Sequence, residues 1–392
     1  MKSVCDIRKC TGCGACSAIC PHGAVVLTEG KLGALYSHID QDKCVDCGLC
    51  TRVCHVTNPV DLRYPSAAYA SYSKSDSDRR TCASGGLATA LSHAVISAGG
   101  VVYGCAQQKG AVVAHIRVDS TQDIELLKGS KYVQSLTKNI FKEVRKDLQE
   151  GRQVVFIGTP CQAAALKNFI NEYLQERLVI ADLCCHGTPS QKLLTDHLDY
   201  IGVPSRADKV IFRDKCDGAI DYVLRVYDKS GDVFYDAPAR RDFYMTGFLS
   251  GLFHRESCFE CTYAASDRCS DLTLADYWSI GKSTDSEMKV AKGLSAVLIN
   301  TPKGKELFDL VSNNIRYEER PIAEALQNGQ FIRPVDKPDD YDIFAEYYKE
   351  CGYEASCRKF VRKYQRRMLI HKLKSLYYKW PLRQHIRTLL KR

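Results

Sequence analysis

The sequence predicts a mixed α+β, α/β protein in three parts: a small cysteine-bound N-terminal module, a mixed-sheet α/β domain and a basic amphipathic helical C-terminal tail. Three observations predict it. A four-cysteine run occurs twice within residues 10–54. From Ser66 onward, strand-length apolar runs alternate with helix-length ones, the rhythm of βαβ units in a mixed sheet. Residues 358–392 hold thirteen Lys/Arg and no Asp or Glu. The parts are expected at residues 1–62, 63–350 and 351–392.

The first run is Cys10-x2-Cys13-x2-Cys16-x3-Cys20-Pro21, and the second, 34 residues on, is Cys44-x2-Cys47-x2-Cys50-x3-Cys54-His55. A 4Fe–4S cubane needs four thiolates. Three cysteines two residues apart wrap three of its corners, and the fourth comes from further away. In the bacterial two-cluster arrangement the last Cys of each run binds the other cluster. That gives Cys10, Cys13, Cys16 and Cys54 for one cluster and Cys44, Cys47, Cys50 and Cys20 for the other. The module is thus expected to be a bacterial-type two-cluster ferredoxin domain that moves single electrons. Zinc knuckles and disulfide frameworks share the Cys-x2-Cys pair, but neither has a use for a triplet followed by a cysteine three residues on. Thr11, Gly12, Gly14 and Gly48 keep the loops small where N–H groups approach the cluster sulfurs. So short a module relies on its clusters rather than on a core, and Pro59 and Pro65 bracket a linker.

In the second part, strands are expected at Ala67–Ser71, Val101–Cys105, Val112–Val118, Val154–Ile157 and Leu178–Leu183, with helices at Gly85–Ala98, Ile140–Gln149 and Ala163–Leu174. Short strands follow at Tyr222–Tyr227, Val233–Tyr235 and Leu294–Ile299, and a helix at Lys303–Asn314. The length of 392 residues allows two or three domains, and 45% hydrophobic residues is ordinary for a globular chain. Twenty cysteines without an apolar leader at Met1–Cys5 point to a reducing cytoplasm rather than to a secreted disulfide scaffold. No apolar run approaches the ~18 residues of a membrane span. Removing the thirteen tail charges from the net +9 leaves the body near −4.

The body has neither GxGxxG after a strand nor a Walker A loop. Cys82-Ala83-Ser84-Gly85-Gly86 before a helix is either a phosphate cradle or simply a helix cap. Cys161, Cys184, Cys185, Cys258 and Cys261 lie at strand ends and in a loop. They are either small core residues or three loops that gather four thiolates.

Ser84-Gly85-Gly86, Gly129-Ser130-Lys131-Tyr132, Gly158-Thr159-Pro160-Cys161-Gln162, Cys185-His186-Gly187-Thr188-Pro189-Ser190, Phe212-Arg213-Asp214-Lys215 and Cys258-Phe259-Glu260-Cys261 through Ala275-Asp276-Tyr277-Trp278 occur in this order. Together they resemble the family of coenzyme F420 hydrogenase/dehydrogenase beta subunits over residues 66–320. The resemblance implies an FAD-binding domain with its own 4Fe–4S cluster. Its ligands would be Cys161, Cys185, Cys258 and Cys261, with Cys184 able to exchange with Cys185 by a one-residue slip. The FAD would lie along Ser84, Gly85, Gly86, Lys131, Tyr132 and Thr159, with Lys131 facing the pyrophosphate. Cys5, Cys82, Cys105, Cys184, Cys216, Cys269, Cys351 and Cys357 remain without a role, most of them expected in the core.

The implied activity passes electrons between a ferredoxin-like donor or acceptor and a small organic substrate, through the clusters and FAD. His186 and Asp276 are the first candidates for proton delivery, although a lone His is more often structural. The fused ferredoxin and basic tail resemble members associated with bacterial polysaccharide biosynthesis. The alternatives are a coenzyme F420:ferredoxin oxidoreductase and a non-catalytic electron-relay subunit.

In the tail, Phe360, Tyr364, Met368, Leu369, Leu373, Leu376, Tyr377 and Trp380 recur near helical spacing with Lys/Arg between them. Pro381 interrupts, and Leu382, Ile386, Leu389 and Leu390 continue. Such a helix suits the anionic inner face of a membrane, where each basic residue adds ~1 kcal/mol, or equally a docked position on the acidic body. No nucleic-acid module accompanies it, and no nucleic acid is expected as partner. Peripheral binding predicts that deleting residues 358–392 moves the protein from the membrane pellet to the soluble fraction. Equal partitioning of both chains would refute it.

Overall fold

A computed structural model describes residues 3–203, 207–215 and 222–379. The N-terminal module contributes the hairpin β1 (Val25–Glu29) and β2 (Leu35–Ile39). The body contributes β3 (Ala67–Ser73), β4 (Val101–Gln107), β5 (Val113–Val118), β6 (Val154–Gly158), β7 (Leu178–Leu183), β8 (Ala207–Asp214), β9 (Val223–Asp228), β10 (Val233–Pro238), β11 (Leu272–Asp276), β12 (Ser295–Ile299) and β13 (Ile315–Arg320). Eight strands form one mixed sheet in the order β13-β3-β12-β11-β7-β6-β4-β5, and β10-β9-β8 form a smaller antiparallel one. The inner strands β11, β7, β6 and β4 run parallel, and the outer ones pair antiparallel.

Parallel strands are covered on both faces and therefore read as unbroken apolar runs. Alternate residues of β6 show why. Val154 and Phe156 join Tyr103, Ile180 and the helices Ile140–Gln149 and Pro160–Phe169 on one side. Val155 joins Val102, Val179 and the helices Leu87–Ser97 and Pro302–Leu310 on the other. The helix expected over 163–174 begins at Pro160 and ends at Phe169. Thr159 and Gln162 close a capping box and Pro160 occupies the first turn, which fixes the earlier start.

A third core lies under the small sheet, where Phe212, Leu224, Tyr244 and Phe253 meet Leu193, Tyr341 and Phe344. Leu32, at the tip of the β1–β2 hairpin with φ 56°, is buried in that same core. Ser190 Oγ donates to the Leu32 carbonyl at 2.5 Å, and Lys31 Nζ meets Asp342 at 2.5 Å. The segment between Pro59 and Pro65 is thus no free tether. Arg63 and Arg268 exchange both backbone hydrogen bonds across it, at 2.9 and 2.8 Å.

The C-terminal helices begin inside the body. Tyr341–Ser356 runs through residue 351, where the tail was expected to start, and a wide turn over Cys357–Val361 leads into Arg362–Lys379. Cys357, Phe360 and Val361 are buried in the third core, whereas Leu369 and Ile370 are exposed. Apolar packing fixes the start of the tail, so a deletion that probes its surface role must begin beyond Val361. Trp380, Pro381, Leu382, Ile386, Leu389 and Leu390 lie outside the described residues. Among the described residues no helix is long and apolar enough to cross a membrane. Phe360→Ala is expected to cost about 3–5 kcal/mol of stability and Leu369→Ala less than about 0.5 kcal/mol, read as a several-degree drop in the thermal midpoint for the first variant only.

Candidate functional site

Cys10, Cys13, Cys16 and Cys54 line one cavity, together with Thr11, Gly12, Gly14 and His55. Cys5, buried in the small core of the module, lines it as a fifth thiol within hydrogen-bonding reach of Cys10 and Cys54. The loop carbonyls point away from the thiols and are each taken by the body. Arg255 Nη2 donates to Cys10 O at 2.8 Å, Gln134 Nε2 to Thr11 O at 2.8 Å and Gly12 O at 3.2 Å, and Thr137 Oγ1 to Cys13 O at 2.6 Å. Gly12 holds φ 62°, and a Cβ there would stand 2.6 Å from both Arg255 Nη1 and Leu35 O, so only glycine fits. The N–H groups of Ala15 and Ser17 are directed at the sulfurs of Cys13 and Cys16. The Cys5 side chain, the Arg255 charge and the N–H groups of Ser37 and Gly12 hold Cys10 down to about 5 against the effect of burial.

A second group places Cys20 and Cys44 each within electrostatic range of Cys50, with Cys47 exposed to solvent on the same loop. Against burial, the N–H groups of Ala24, His22, Val25 and Gly23 hold Cys20 below the usual thiol range, that of Ala24 at 3.3 Å.

The third group comes from the body. Cys161 follows β6, Cys185 follows β7, and Cys258 and Cys261 belong to the turn after Arg255. Burial, then repulsion from Cys258, Cys161 and Cys261, raises Cys185 well above the usual range. Cys184 is influenced by Arg268, Asp182 and Asp276 rather than by the other three thiols, and packs against the core that contains Tyr277 and Leu294. Among the described residues no three Cys, His, Asp or Glu side chains converge on a point as a single metal ion requires. A cubane carries its own sulfides and takes four thiolates, so the groups fit clusters in composition. They also follow one another. Cys50 lies within electrostatic range of Cys16, and Cys13 within range of Cys161.

Cys185 and Cys184 form part of the wall of a cavity of about 380 Å³ at the C-terminal ends of the parallel strands, the usual ligand position in such sheets. Ser84, Gly86, Lys131, Tyr132 and Thr159 line it, as do His186 and Asp276. Gly85 does not. A Cβ on it would meet Ser71 O at 2.4 Å and Ser295 N at 2.8 Å, so this glycine serves strand packing. Gly86 (φ 91°) opens the helix Leu87–Ser97 with no side-chain cap, leaving its first N–H groups for a ligand. Lys131 is pushed down to about 8 by burial and donates to the carbonyls of Leu126, Leu127 and Lys128 at 3.3, 3.0 and 2.8 Å. It caps a helix here and reaches an anion only by releasing a carbonyl. Tyr132 stacks on Phe248 at 4.5 Å, giving an aromatic wall. This size, the aromatic and apolar wall and the uncapped helix start fit FAD in kind.

His186 Nε2 lies 3.3 Å from the Leu249 carbonyl, and burial lowers its proton affinity. Asp276 pairs with Arg213 at 2.6 Å, and the guanidinium lies over Tyr222 and Trp278. Its carboxylate is thus tied to a cation at the cavity wall. Lys215, last of the Phe212–Lys215 motif, donates to Arg79 O at 2.8 Å and Ser84 O at 2.5 Å and so pins the loop before Gly86. Sequence reasoning left Arg255, Gln134, Thr137 and the near contact of Cys5 unread. All act across more than a hundred residues or between thiols already counted. Cys216 lies outside the described residues.

Residues 9–58 match the 4Fe-4S dicluster domain, and residues 151–325 match the family described as coenzyme F420 hydrogenase/dehydrogenase, beta subunit, C terminus. One subunit of the F(420)H(2) dehydrogenase of Methanosarcina mazei is 21% identical over 364 residues, which cover 89% of this chain and 95% of that protein. A chain of the F420-reducing [NiFe] hydrogenase complex from Methanosarcina barkeri aligns over 77% of this chain and 93% of its own length, at 17% identity and a TM-score of 0.47.

One wall residue gives a pH prediction. His115 stacks on Phe156, its Nε2 3.1 Å from Ile157 O and its Nδ1 2.8 Å from Ser135 Oγ, and burial lowers it to about 4. The carbonyl only accepts, so Nε2 carries the proton of the neutral ring. The unfolded chain takes up a proton near pH 6.5 that the folded one refuses until about 4. Stability is therefore full above 6.5 and falls by about 3 kcal/mol as pH drops through that window. His115→Gln should flatten this part of the slope, measured as unfolding midpoint against pH.

Proposed function

The chain joins a 4Fe-4S dicluster domain to the C-terminal domain of coenzyme F420 hydrogenase/dehydrogenase beta subunits, which makes it an iron–sulfur electron-transfer protein of that type, and from this premise we propose a flavin-dependent oxidoreductase. In this reading a ferredoxin-like carrier exchanges electrons near Cys47, and a small organic substrate meets FAD in the large cavity. One observation carries it: the thiol groups succeed one another from exposed Cys47 to Cys185 in the cavity wall. When bound, clusters at the three thiol groups supply single-electron transfer and FAD turns single electrons into pairs.

The chain's own residues have separable parts. Cys10, Cys13, Cys16 and Cys54 hold the inner ferredoxin cluster, Cys20, Cys44, Cys47 and Cys50 the outer one, and Cys161, Cys185, Cys258 and Cys261 the body cluster. Gly86, Ser84 and Thr159 bind phosphate, and Tyr132 packs against the flavin. His186, with Nε2 bound to Leu249 O, keeps Nδ1 as the acceptor of its neutral ring and accepts a substrate proton there. Asp276, which lines the cavity and is held in place by Arg213, is the second candidate for proton delivery. A cytoplasmic location follows from the cysteine usage, and contact with the membrane's inner face from the basic tail.

A substrate from surface-polysaccharide synthesis is the first class to test. Coenzyme F420 is the second, favoured by the match to one subunit of an F(420)H(2) dehydrogenase over 89% of this chain. Bleaching of the deazaflavin by the protein with reduced ferredoxin separates the two. Clusters without turnover until a partner is added would make it a relay subunit.

The composition test comes first. Anaerobically purified protein should contain about twelve irons and one FAD, and the Cys161→Ser, Cys258→Ser variant about eight irons. About eight in both proteins, with no flavin, would overturn the reading.

A further inference from the structure

Arg255 is 3% exposed, and its side chain is surrounded by neutral acceptors. Nη2 donates to Cys10 O at 2.8 Å and Leu35 O at 2.7 Å, Nη1 to Gln134 Oε1 at 2.5 Å, and Nε to Ser257 Oγ at 3.2 Å. Among the described residues no carboxylate lies within ion-pairing distance of it. The adjoining Glu256 faces Lys31 at 3.7 Å and Lys337 at 3.9 Å instead. Of the other buried arginines of the body, Arg268 meets Asp182 at 2.8 Å and Arg213 meets Asp276 at 2.6 Å, whereas Arg79 is held by the carbonyls of Gly293 at 3.2 Å and Glu287 at 2.7 Å. A buried cation left without an anion is costly, and hydrogen bonds to carbonyls do not cancel its charge.

Its side chain binds the first cysteine loop directly, at the Cys10 carbonyl. Its main chain takes part as well. The Cys258 N–H donates to Arg255 O at 3.0 Å, and the Arg255 N–H donates to Thr188 O at 3.2 Å, three residues beyond Cys185. One residue therefore ties together the Cys10 loop, the Cys185–Thr188 loop and the Cys258 turn.

We infer that Arg255 is the shared counter-charge and positioning residue of two adjacent iron–sulfur sites, that of Cys10, Cys13, Cys16 and Cys54 and that of Cys161, Cys185, Cys258 and Cys261. This rests on the cluster reading above. A cluster gains negative charge on reduction, so a fixed cation between two sites favours the reduced form of both and raises both potentials. It also removes part of the repulsion between two reduced neighbours. The site of Cys20, Cys44, Cys47 and Cys50 has no such cation among its described contacts to Arg255 and is the internal control.

The test is a redox titration of the full-length, anaerobically purified protein followed by electron paramagnetic resonance, with iron content measured beside it. Arg255→Gln should move two of three midpoint potentials to more negative values and leave the third unchanged, and Arg255→Lys should restore most of the shift. Gln134→Glu, which places a carboxylate against the guanidinium and keeps the arginine in its fold, should move the same two in the same direction. Unchanged potentials, or an equal shift in all three, would overturn the inference. Wild-type protein with only about eight irons would instead overturn the cluster reading on which it stands.

Discussion

Four successive carbonyls, those of Cys10, Thr11, Gly12 and Cys13, are each held by a side chain of the body, and the rest of the architecture depends on this contact. With its oxygens turned toward Arg255, Gln134 and Thr137, the loop keeps its N–H groups for the sulfurs. The conformation of a cysteine loop and the docking of a whole module are therefore the same set of hydrogen bonds. Mobility between the two parts would undo both. The buried Leu32 at the hairpin tip and the Lys31–Asp342 pair hold the opposite side of the module in the same way.

The body meets this contact with the C-terminal ends of its parallel strands. The apolar runs Val154–Ile157 of β6 and Leu178–Ala181 of β7 place both strands inside the sheet, so the residues that follow them emerge at one edge. Thr159 and Cys161 leave β6 there, and Cys184, Cys185 and His186 leave β7. The thiol group and the large cavity share this edge, with Cys185 belonging to both. The close approach of Cys13 to Cys161 then follows from the docking of the first loop.

Much of this was legible in the sequence, and the exceptions have physical reasons. The helix Ile140–Gln149 and the strand Leu178–Leu183 have the expected limits, because amphipathic spacing and the apolar run Leu178–Ala181 are local signals. β11 was missed because Thr273 and Asp276 interrupt its apolar run, and β13 because Arg316, Glu318, Glu319 and Arg320 make it read as an exposed polar segment. The choice between Cys184 and Cys185 had a usable signal. Successive residues of an extended segment alternate in direction, and Cys185 is the one of the two within electrostatic range of Cys161. Gly85 and Gly86 read alike in sequence, yet one packs against β3 and β12 and the other opens a helix toward the cavity. Arg255 had no signal at all. Apart from neighbouring Ser257, its side-chain hydrogen-bond partners are 121 to 245 residues away in the chain, and nothing local marks an arginine for burial.

The unequal burial of the two ferredoxin cysteine sets bears on how the protein is made and maintained. Cys10, Cys13, Cys16 and Cys54 are enclosed once the body has closed over their loop, whereas Cys47 remains open to solvent. On the cluster reading, the inner iron must be installed before the body closes, early in biogenesis. The outer site stays open to scaffold proteins, oxidants and chelators throughout the life of the molecule. Damage and repair would then be concentrated at one replaceable end, and the centre would be built once.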